Sequence, residues 1–282
     1  VTNLRSILIT GCSSGIGHHV AQGLQRRGYR VFATARRAQD VAELQREGLE
    51  GLQLDLDDSD SIARAVDTIL SRTGGTLYAL FNNGAYGQPG AVEDLRREVL
   101  RRQFETNLFG CLELTNRIIP VMRARGEGRI IQNSSVLGLV ALPYRGAYVA
   151  SKFALEGMTD TLRLELRGSG IFVSLIEPGP ITSRFRHNAH QAFLANIDTE
   201  HSVHREAYRA AETRMRKEGP VQPFTLGPEA VLTKVVHALE SPRPRVRYYV
   251  TFPTYLFATL KRALTHRAID RVILRVSGGG RR

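Results

Sequence analysis

Short apolar runs and amphipathic stretches alternate along the first 180 residues. Ile7-Leu8-Ile9 predicts a short buried strand that runs into a Gly-rich turn. A helix is expected through Val20, Ala21 and Leu24, stopping near Gly28. Five further strands are predicted over Tyr29–Ala33, Leu52–Leu54, Leu77–Phe81, Arg129–Gln132 and Ile171–Ile176. Ile62, Ala65, Val66 and Ile69 form one face of a helix that Ser59 or Asp60 would cap. A longer helix is predicted from Phe104 to Met122. Strands alternating with helices imply an α/β fold, a doubly wound parallel sheet with helices on both faces. Ligands of such sheets lie beyond the carboxyl ends of the strands. Chemistry is therefore expected just after Ile9, Ala33, Leu54, Phe81, Gln132 and Ile176.

Residues 184–227 break this rhythm. They are polar and uneven and close with a Gly/Pro stretch, Gly219-Pro220 to Pro223, which reads as a mobile lid within a catalytic unit of residues 1–250. Residues 251–282 form a basic, amphipathic extension. In it Leu256, Leu260 and Leu264 mark one face, continued by Ile269, Val272, Ile273 and Val276. The net charge is +12, but residues 241–282 hold ten Lys or Arg against one acid, so the main body is near neutral. That localisation argues against nucleic acid as a partner. The extension is expected to pack its apolar face over the cleft or a partner subunit; peripheral contact with an anionic membrane is the other reading. No run of eighteen apolar residues predicts a spanning helix, and Ile7-Leu8-Ile9 is too short for a signal core. Two cysteines, Cys12 and Cys111, fit a reducing, cytoplasmic setting.

The first motif is Thr10-Gly11-Cys12-Ser13-Ser14-Gly15-Ile16-Gly17, between a predicted strand and a predicted helix. Glycines there let the backbone turn sharply and approach a pyrophosphate at the helix N-terminus. The second strand leads into Arg36-Arg37, with no carboxylate before Asp40. A carboxylate there would bind a ribose 2′-OH, whereas guanidinium groups suit a 2′-phosphate, so NADP(H) is expected over NAD(H). Tyr148 and Lys152 are four residues apart, which stacks them on one helix face. A phenol titrates near 10, and a nearby cation favours phenolate. Lowering it by about 3 units takes roughly 4 kcal/mol of differential interaction. Ser135, thirteen residues before Tyr148, follows the fifth strand in Asn133-Ser134-Ser135, and Glu177-Pro178-Gly179-Pro180 follows the sixth.

Taken together, the Thr10–Gly17 loop, Asp55-Leu56, Asn82-Asn83-Gly84-Ala85, Asn107, Ser135, Tyr148 with Lys152, and Pro178-Gly179 resemble the short-chain dehydrogenase/reductase family, in the right order over residues 5–185. Within it the chain is most similar to bacterial NADP-dependent aldehyde reductases, which are related to hydroxysteroid and retinol dehydrogenases. The resemblance implies a Rossmann-type domain and an oxidoreductase that interconverts a small-molecule carbonyl, aldehyde or ketone, and its alcohol. It implies Tyr148 as general acid in reduction and base in oxidation, and Lys152 lowering the tyrosine pKa and binding the nicotinamide ribose. Ser135 would orient the carbonyl, and Asn107 would hold a water in a proton relay. Gly11, Ser13, Ser14, Gly15, Ile16, Gly17, Arg36, Arg37, Asp55, Leu56, Asn82, Asn83, Gly84, Pro178, Gly179, Ile181 and Ser183 would contact NADP, with Asp55 at the adenine, Asn82 on the adenosine side and the Ile181 backbone at the carboxamide. A homodimer or homotetramer is implied as well.

Two positions depart from the family's pattern. The family shows Asn-Asn-Ala-Gly where this chain has Asn82-Asn83-Gly84-Ala85, which puts the turn at Ala85 in question. The hydroxyl expected after Pro178-Gly179 falls on Ser183, with Thr182 beside it. Leu137, Leu139, Val140, Leu142 and Tyr144 near the cleft suggest a lipophilic substrate. His187, His190, His201 and His204 read as parts of a solvated lid, and no metal is expected. Two rival functions are a non-catalytic NADP(H) sensor or regulator on the same fold, and a 17β-hydroxysteroid- or retinol-type dehydrogenase at a membrane surface.

Overall fold

A computed structural model of the protein describes residues 4–217, 219 and 223–277. Pro220 of the Gly/Pro stretch and Arg281 and Arg282 of the basic tail lie outside the described residues. Seven parallel strands form one sheet: β1 (Ser6–Ile9), β2 (Arg30–Ala35), β3 (Glu50–Gln53), β4 (Ala79–Asn82), β5 (Gly128–Asn133), β6 (Ile171–Pro178) and β7 (Arg247–Val250). Their spatial order is β3-β2-β1-β4-β5-β6-β7. The order reverses between β1 and β4, and a doubly wound sheet opens its ligand crevice at that reversal.

Alternation explains why the central strands are apolar throughout. On β1, Ile7 and Ile9 face one layer, with Val20 and Leu24 of α1 (Gly15–Arg26) and Val231, Val235 and Leu239 of α9 (Glu229–Glu240). Leu8 faces the other, with Ile62 and Ile69 of α3 (Ser59–Thr73) and Leu114 and Ile118 of α5 (Gly110–Arg125). A strand covered on both faces has no polar side to show.

Several boundaries differ from the sequence expectation. The cap of α3 is Asp58, whose carboxylate accepts the N–H groups of Asp60 and Ser61; neither Ser59 nor Asp60 does this. β3 ends at Gln53, and Leu54 lies past the strand. The helix expected from Phe104 begins earlier, as α4 (Arg97–Phe104), passes through a π-helical turn over Glu105–Phe109, and resumes as α5. Among elements not anticipated are α2 (Ala38–Arg46), α9 and the edge strand β7. Residues 184–227 contain α7 (Phe185–Asn196) and α8 (Arg205–Arg216). Phe193, Ile197, Tyr208 and Met215 bury a small core of their own there against Ala91.

The basic extension is two helices, α10 (Phe252–Ala263) and α11 (His266–Val276), broken at Leu264 and Thr265. Ile269 and Ile273 of α11 are buried against Val140, with Leu139, Leu142, Phe257 and Leu260 packed alongside. Leu256 and Leu264 stay partly exposed, because the break turns α11 away from the line of α10. Leu139, Val140 and Leu142 thus pack against the tail helices. Among the described residues no helix is long and apolar enough to cross a membrane.

Candidate active site

The turn after β1 is built for close approach. Gly11 and Gly15 have φ of +69° and +62°, which L side chains rarely adopt. A Cβ on Gly11 would lie 2.7 Å from Gly84 Cα, and one on Gly17 would lie 2.3 Å from Gly11 O. Thr10, which the sequence reading left without a role, ties this turn to the one after β4: its hydroxyl accepts the N–H groups of Asn83 (2.9 Å) and Gly84 (2.8 Å). Neither Gly84 nor Ala85 has positive φ, so the inverted Gly-Ala order leaves the turn unstrained. Glycine is needed at position 84 for proximity: a Cβ there would meet Leu56 at 2.9 Å.

Ser14 is the N-cap of α1 but makes no side-chain cap bond, and the first turn has no acid. The leading N–H groups of α1 therefore have no capping side chain, and with the dipole they suit an anion such as a pyrophosphate. Ser13 and Ile16 flank that terminus. Ser183 packs onto it, its Cβ 2.8 Å from where a Cβ on Gly15 would be. Ile181 bridges in parallel to Leu226, so the 184–227 segment leaves and rejoins the sheet at the site. Pro178 ends β6, and Gly179 is pressed against Thr251, whose hydroxyl would be 2.2 Å from an added Cβ. These residues fit a bound dinucleotide.

At the other end of this groove the two arginines have different surroundings. Arg37 donates two hydrogen bonds to Asp40, at 2.8 and 3.0 Å. Among the described residues the exposed Arg36 guanidinium makes no hydrogen bond or ion pair; only its carbonyl is engaged, by Gln53. Asp55 keeps one oxygen on the N–H of Asp57 and is otherwise half-exposed. Asn82 points into the protein, where it donates to Thr115 Oγ1 at 2.9 Å. Asn83 donates to the carbonyls of Thr10 and Gly11 and accepts from Asn133. Asn82 thus ties β4 to α5, and Asn83 ties together the turns after β1, β4 and β5.

The third group stands on α6 (Gly146–Glu165) and the end of β5. Tyr148 is buried, near enough to Ser135 for that hydroxyl to act on the phenol, and stacked edge-on against Phe185 with ring centroids 5.3 Å apart. Lys152 is buried one turn later, and its Nζ donates to Asn133 O at 2.7 Å. It lies 5.7 Å from the Tyr148 ring centroid. Asn107 sits in the π-helical turn, with its side chain bound to both backbone groups of Tyr86 and to Ser151 Oγ. The Asn107 amide is thereby committed to the protein, in a π-helical turn of the kind often found at functional sites.

Lys152 alone does not produce the expected depression of the tyrosine pKa: in the chain by itself burial pushes Tyr148 up, to about 12, and the Ser135 hydroxyl only partly opposes this. Burial likewise pulls Lys152 down to about 8. Desolvation penalises both charged forms and outweighs the attraction that the spacing suggested.

Behind Lys152 lies a charge cluster absent from the sequence reading. Arg247 of β7 donates to Glu156 and Glu177 through one nitrogen and to Asp160 through the other, at 2.5 Å for Asp160. Glu177 is fully buried, and burial plus the charge of Glu156 raise its pKa to about 8. Glu156 is four residues beyond Lys152, so helical spacing was a usable signal for it; nothing local pointed to Arg247. The lid histidines take separate carboxylates: His190 with Glu212, His201 with Asp198 and His204 with Glu93.

A dinucleotide cradle beside a buried Ser-Tyr-Lys group at the carboxyl edge of a parallel sheet defines a nicotinamide-dependent oxidoreductase. The chain belongs to the short-chain dehydrogenase family, whose family model matches residues 5–193. It is 44% identical over 269 residues to the uncharacterized oxidoreductase YbbO of Escherichia coli, covering 95% of this chain and 94% of that one. Human 17-beta-hydroxysteroid dehydrogenase type 1 is 34% identical over 260 residues, covering 87% and 77% respectively. An actinorhodin polyketide ketoreductase solved with NADPH superposes with a TM-score of 0.70 at 27% identity, over 89% of this chain and 96% of that one.

Proposed function

We propose that the protein is an NADP(H)-dependent reductase of aldehydes or ketones. The observation that carries this reading is the grouping of the buried Ser135 and Tyr148 with the anchored Lys152, closed over by Phe185. The Gly11–Gly17 turn and Pro178–Ser183 would hold a reduced nicotinamide cofactor, which when bound would supply the hydride for the carbonyl carbon. The proton is the chain's own contribution. Ser135 donates toward the carbonyl oxygen and fixes its place. Tyr148, kept neutral by burial, gives its O–H proton to that oxygen as the alcohol forms. Lys152 then returns a proton toward the phenolate, and the π turn at Asn107 offers its path to solvent. Arg36, whose guanidinium makes no hydrogen bond or ion pair among the described residues, is assigned to the 2′-phosphate; Arg37 serves mainly to hold Asp40. The NADPH complex of the ketoreductase supports the choice of cofactor.

Residues 1–250 are taken as the catalytic unit, with 184–227 as its lid. A cytoplasmic setting accords with two free, buried thiols. Exposed apolar side chains on α6, Phe153, Met158 and Leu164, support a homodimer or homotetramer. The test is NADPH oxidation against a panel of aldehydes, ketones, steroids and retinal, run beside Tyr148→Phe. Turnover that the variant abolishes supports the reading; tight NADPH binding with no turnover on any substrate overturns it.

A further inference from the structure

Two buried oxygens without a hydrogen-bond partner converge beside the reaction centre. One is Ser134 Oγ, next to Ser135; the other is Glu156 Oε1, one turn beyond Lys152 on the buried face of α6. Gly138 shows how near they come. A Cβ added there would lie 2.6 Å from Ser134 Oγ and 3.0 Å from Glu156 Oε1. Both oxygens therefore face one point, and at most the span of one bridging water separates them. Gly138 closes the 3₁₀ turn Val136–Gly138, whose N-cap is Ser135, and its N–H donates to Ser135 O at 2.8 Å. The other carboxylate oxygen of Glu156 is held by Arg247 of β7, which also holds Glu177 of β6 and Asp160 of α6. Glu156 is thus anchored at one oxygen and open at the other, against the turn that carries Ser135. A buried acceptor left without a donor is costly, and an ionised one more so.

We propose that Glu156 is a positioning residue for the reaction: anchored on Arg247, it takes the Ser134 hydroxyl, in contact or across one water, and braces the Ser135 turn against the helix of Tyr148 and Lys152. This rests on the reductase reading of that site. The bond from Lys152 Nζ to Asn133 O secures one residue of the loop after β5. The Glu156 link secures the next, and Ser135 follows it in the chain. Glu156 has a second effect at the same place. Burial lowers Lys152, and the charge of Glu156 opposes that lowering.

The test is steady-state kinetics of the full chain with NADPH and an aldehyde that it reduces. Glu156→Gln keeps an oxygen for Arg247, and Ser134→Ala removes only a hydroxyl, so it keeps the test open should Glu156→Gln weaken folding. Each is expected to lower kcat about tenfold, the loss of one charge-assisted hydrogen bond, with KM for NADPH unchanged. The double variant should lose no more than either single one. Gly138→Ala sets a methyl group between the two oxygens, with no left-handed φ to strain the backbone, and should lower kcat similarly. Glu156→Gln should also move the alkaline fall of kcat/KM to lower pH, whereas Ser134→Ala should leave it in place. The other titratable groups of the cluster are unchanged in both: Arg247 of β7, Glu177 of β6, Asp160 of α6, and Cys111 and Tyr148 beside Lys152. A merely structural role would not shift that limb. Normal kcat in Glu156→Gln and Ser134→Ala, or losses that multiply in the double variant, overturns the positioning role and leaves the reductase reading intact. No turnover of any carbonyl by the unmodified protein overturns both.

Discussion

Lys152 Nζ donates a 2.7 Å hydrogen bond to the backbone carbonyl of Asn133, which ties α6 to the end of β5. One bond thereby fixes the distance between the serine-bearing loop after β5 and the tyrosine-bearing turn of α6. Lys152→Met leaves that buried carbonyl without a donor and removes the cation beside Tyr148. A fall in kcat of about 10²–10⁴-fold is expected, with NADPH still bound. Tyr148→Phe should lose a similar factor while keeping its melting temperature. Steady-state kinetics and nucleotide titration of both variants check this, and a Lys152→Met enzyme with near-normal kcat is incompatible with the assignment.

The titration of the pair sets a pH profile. Burial has lowered Lys152 to about 8, so its charge is present below that pH and lost above it. Tyr148 stays protonated until about 12 and does not limit reduction. The kcat/KM for reduction should therefore be level on the acid side and decline as pH rises through about 8. A profile flat to pH 10 would assign Lys152 a purely geometric role.

Cofactor selectivity should divide unequally between adjacent arginines. Among the described residues the Arg36 guanidinium makes no hydrogen bond or ion pair, whereas Arg37 is held by Asp40. Arg36→Ala should raise KM for NADPH about tenfold, in line with the loss of one charge-assisted hydrogen bond, and leave KM for NADH little changed. Arg37→Ala should have the smaller effect. Paired KM measurements with both nucleotides distinguish the two.

Gly11 combines a positive φ with a 2.7 Å approach to Gly84. Gly11→Ala should cost at least about 1–2 kcal/mol from the left-handed backbone alone, with the backbone clash in addition. The expected readout is a lower melting temperature and weakened NADPH binding. Gly74→Ala is the control: its φ is also positive but nothing lies within 4 Å of the added Cβ, so it should lose stability without losing nucleotide affinity.

Glu177 is a carboxyl whose folded-state pKa is raised from 4.5 to about 8. The folded state holds its proton where the unfolded chain has released it, so this group's contribution is lost as pH rises from about 4.5 to about 8. Glu177→Gln removes the titration and still offers Arg247 an oxygen. Its melting temperature relative to the unmodified protein should climb over that interval and level off above it. Thermal melts across the range decide, and a difference independent of pH would contradict the raised pKa.

Sequence alone was enough for the alternating architecture, the turn after β1 and the Ser135, Tyr148 and Lys152 set, because each is written in local periodicity or short spacing. β7 was missed for a physical reason: Arg247–Val250 is an edge strand of four residues, and each of its β6 partners, such as Leu175 for Arg247, lies 72 residues earlier in the chain. Local spacing placed Lys152 beside Tyr148, but the sign of the tyrosine shift depends on how much water the fold removes, which no spacing contains. Tertiary structure also decided that Arg37 is held by Asp40 and that Leu139 and Val140 pack under α11. Helices bring their residues together from nearby in the chain; burial, desolvation and the absence of a counter-charge are sums over everything the fold brings near.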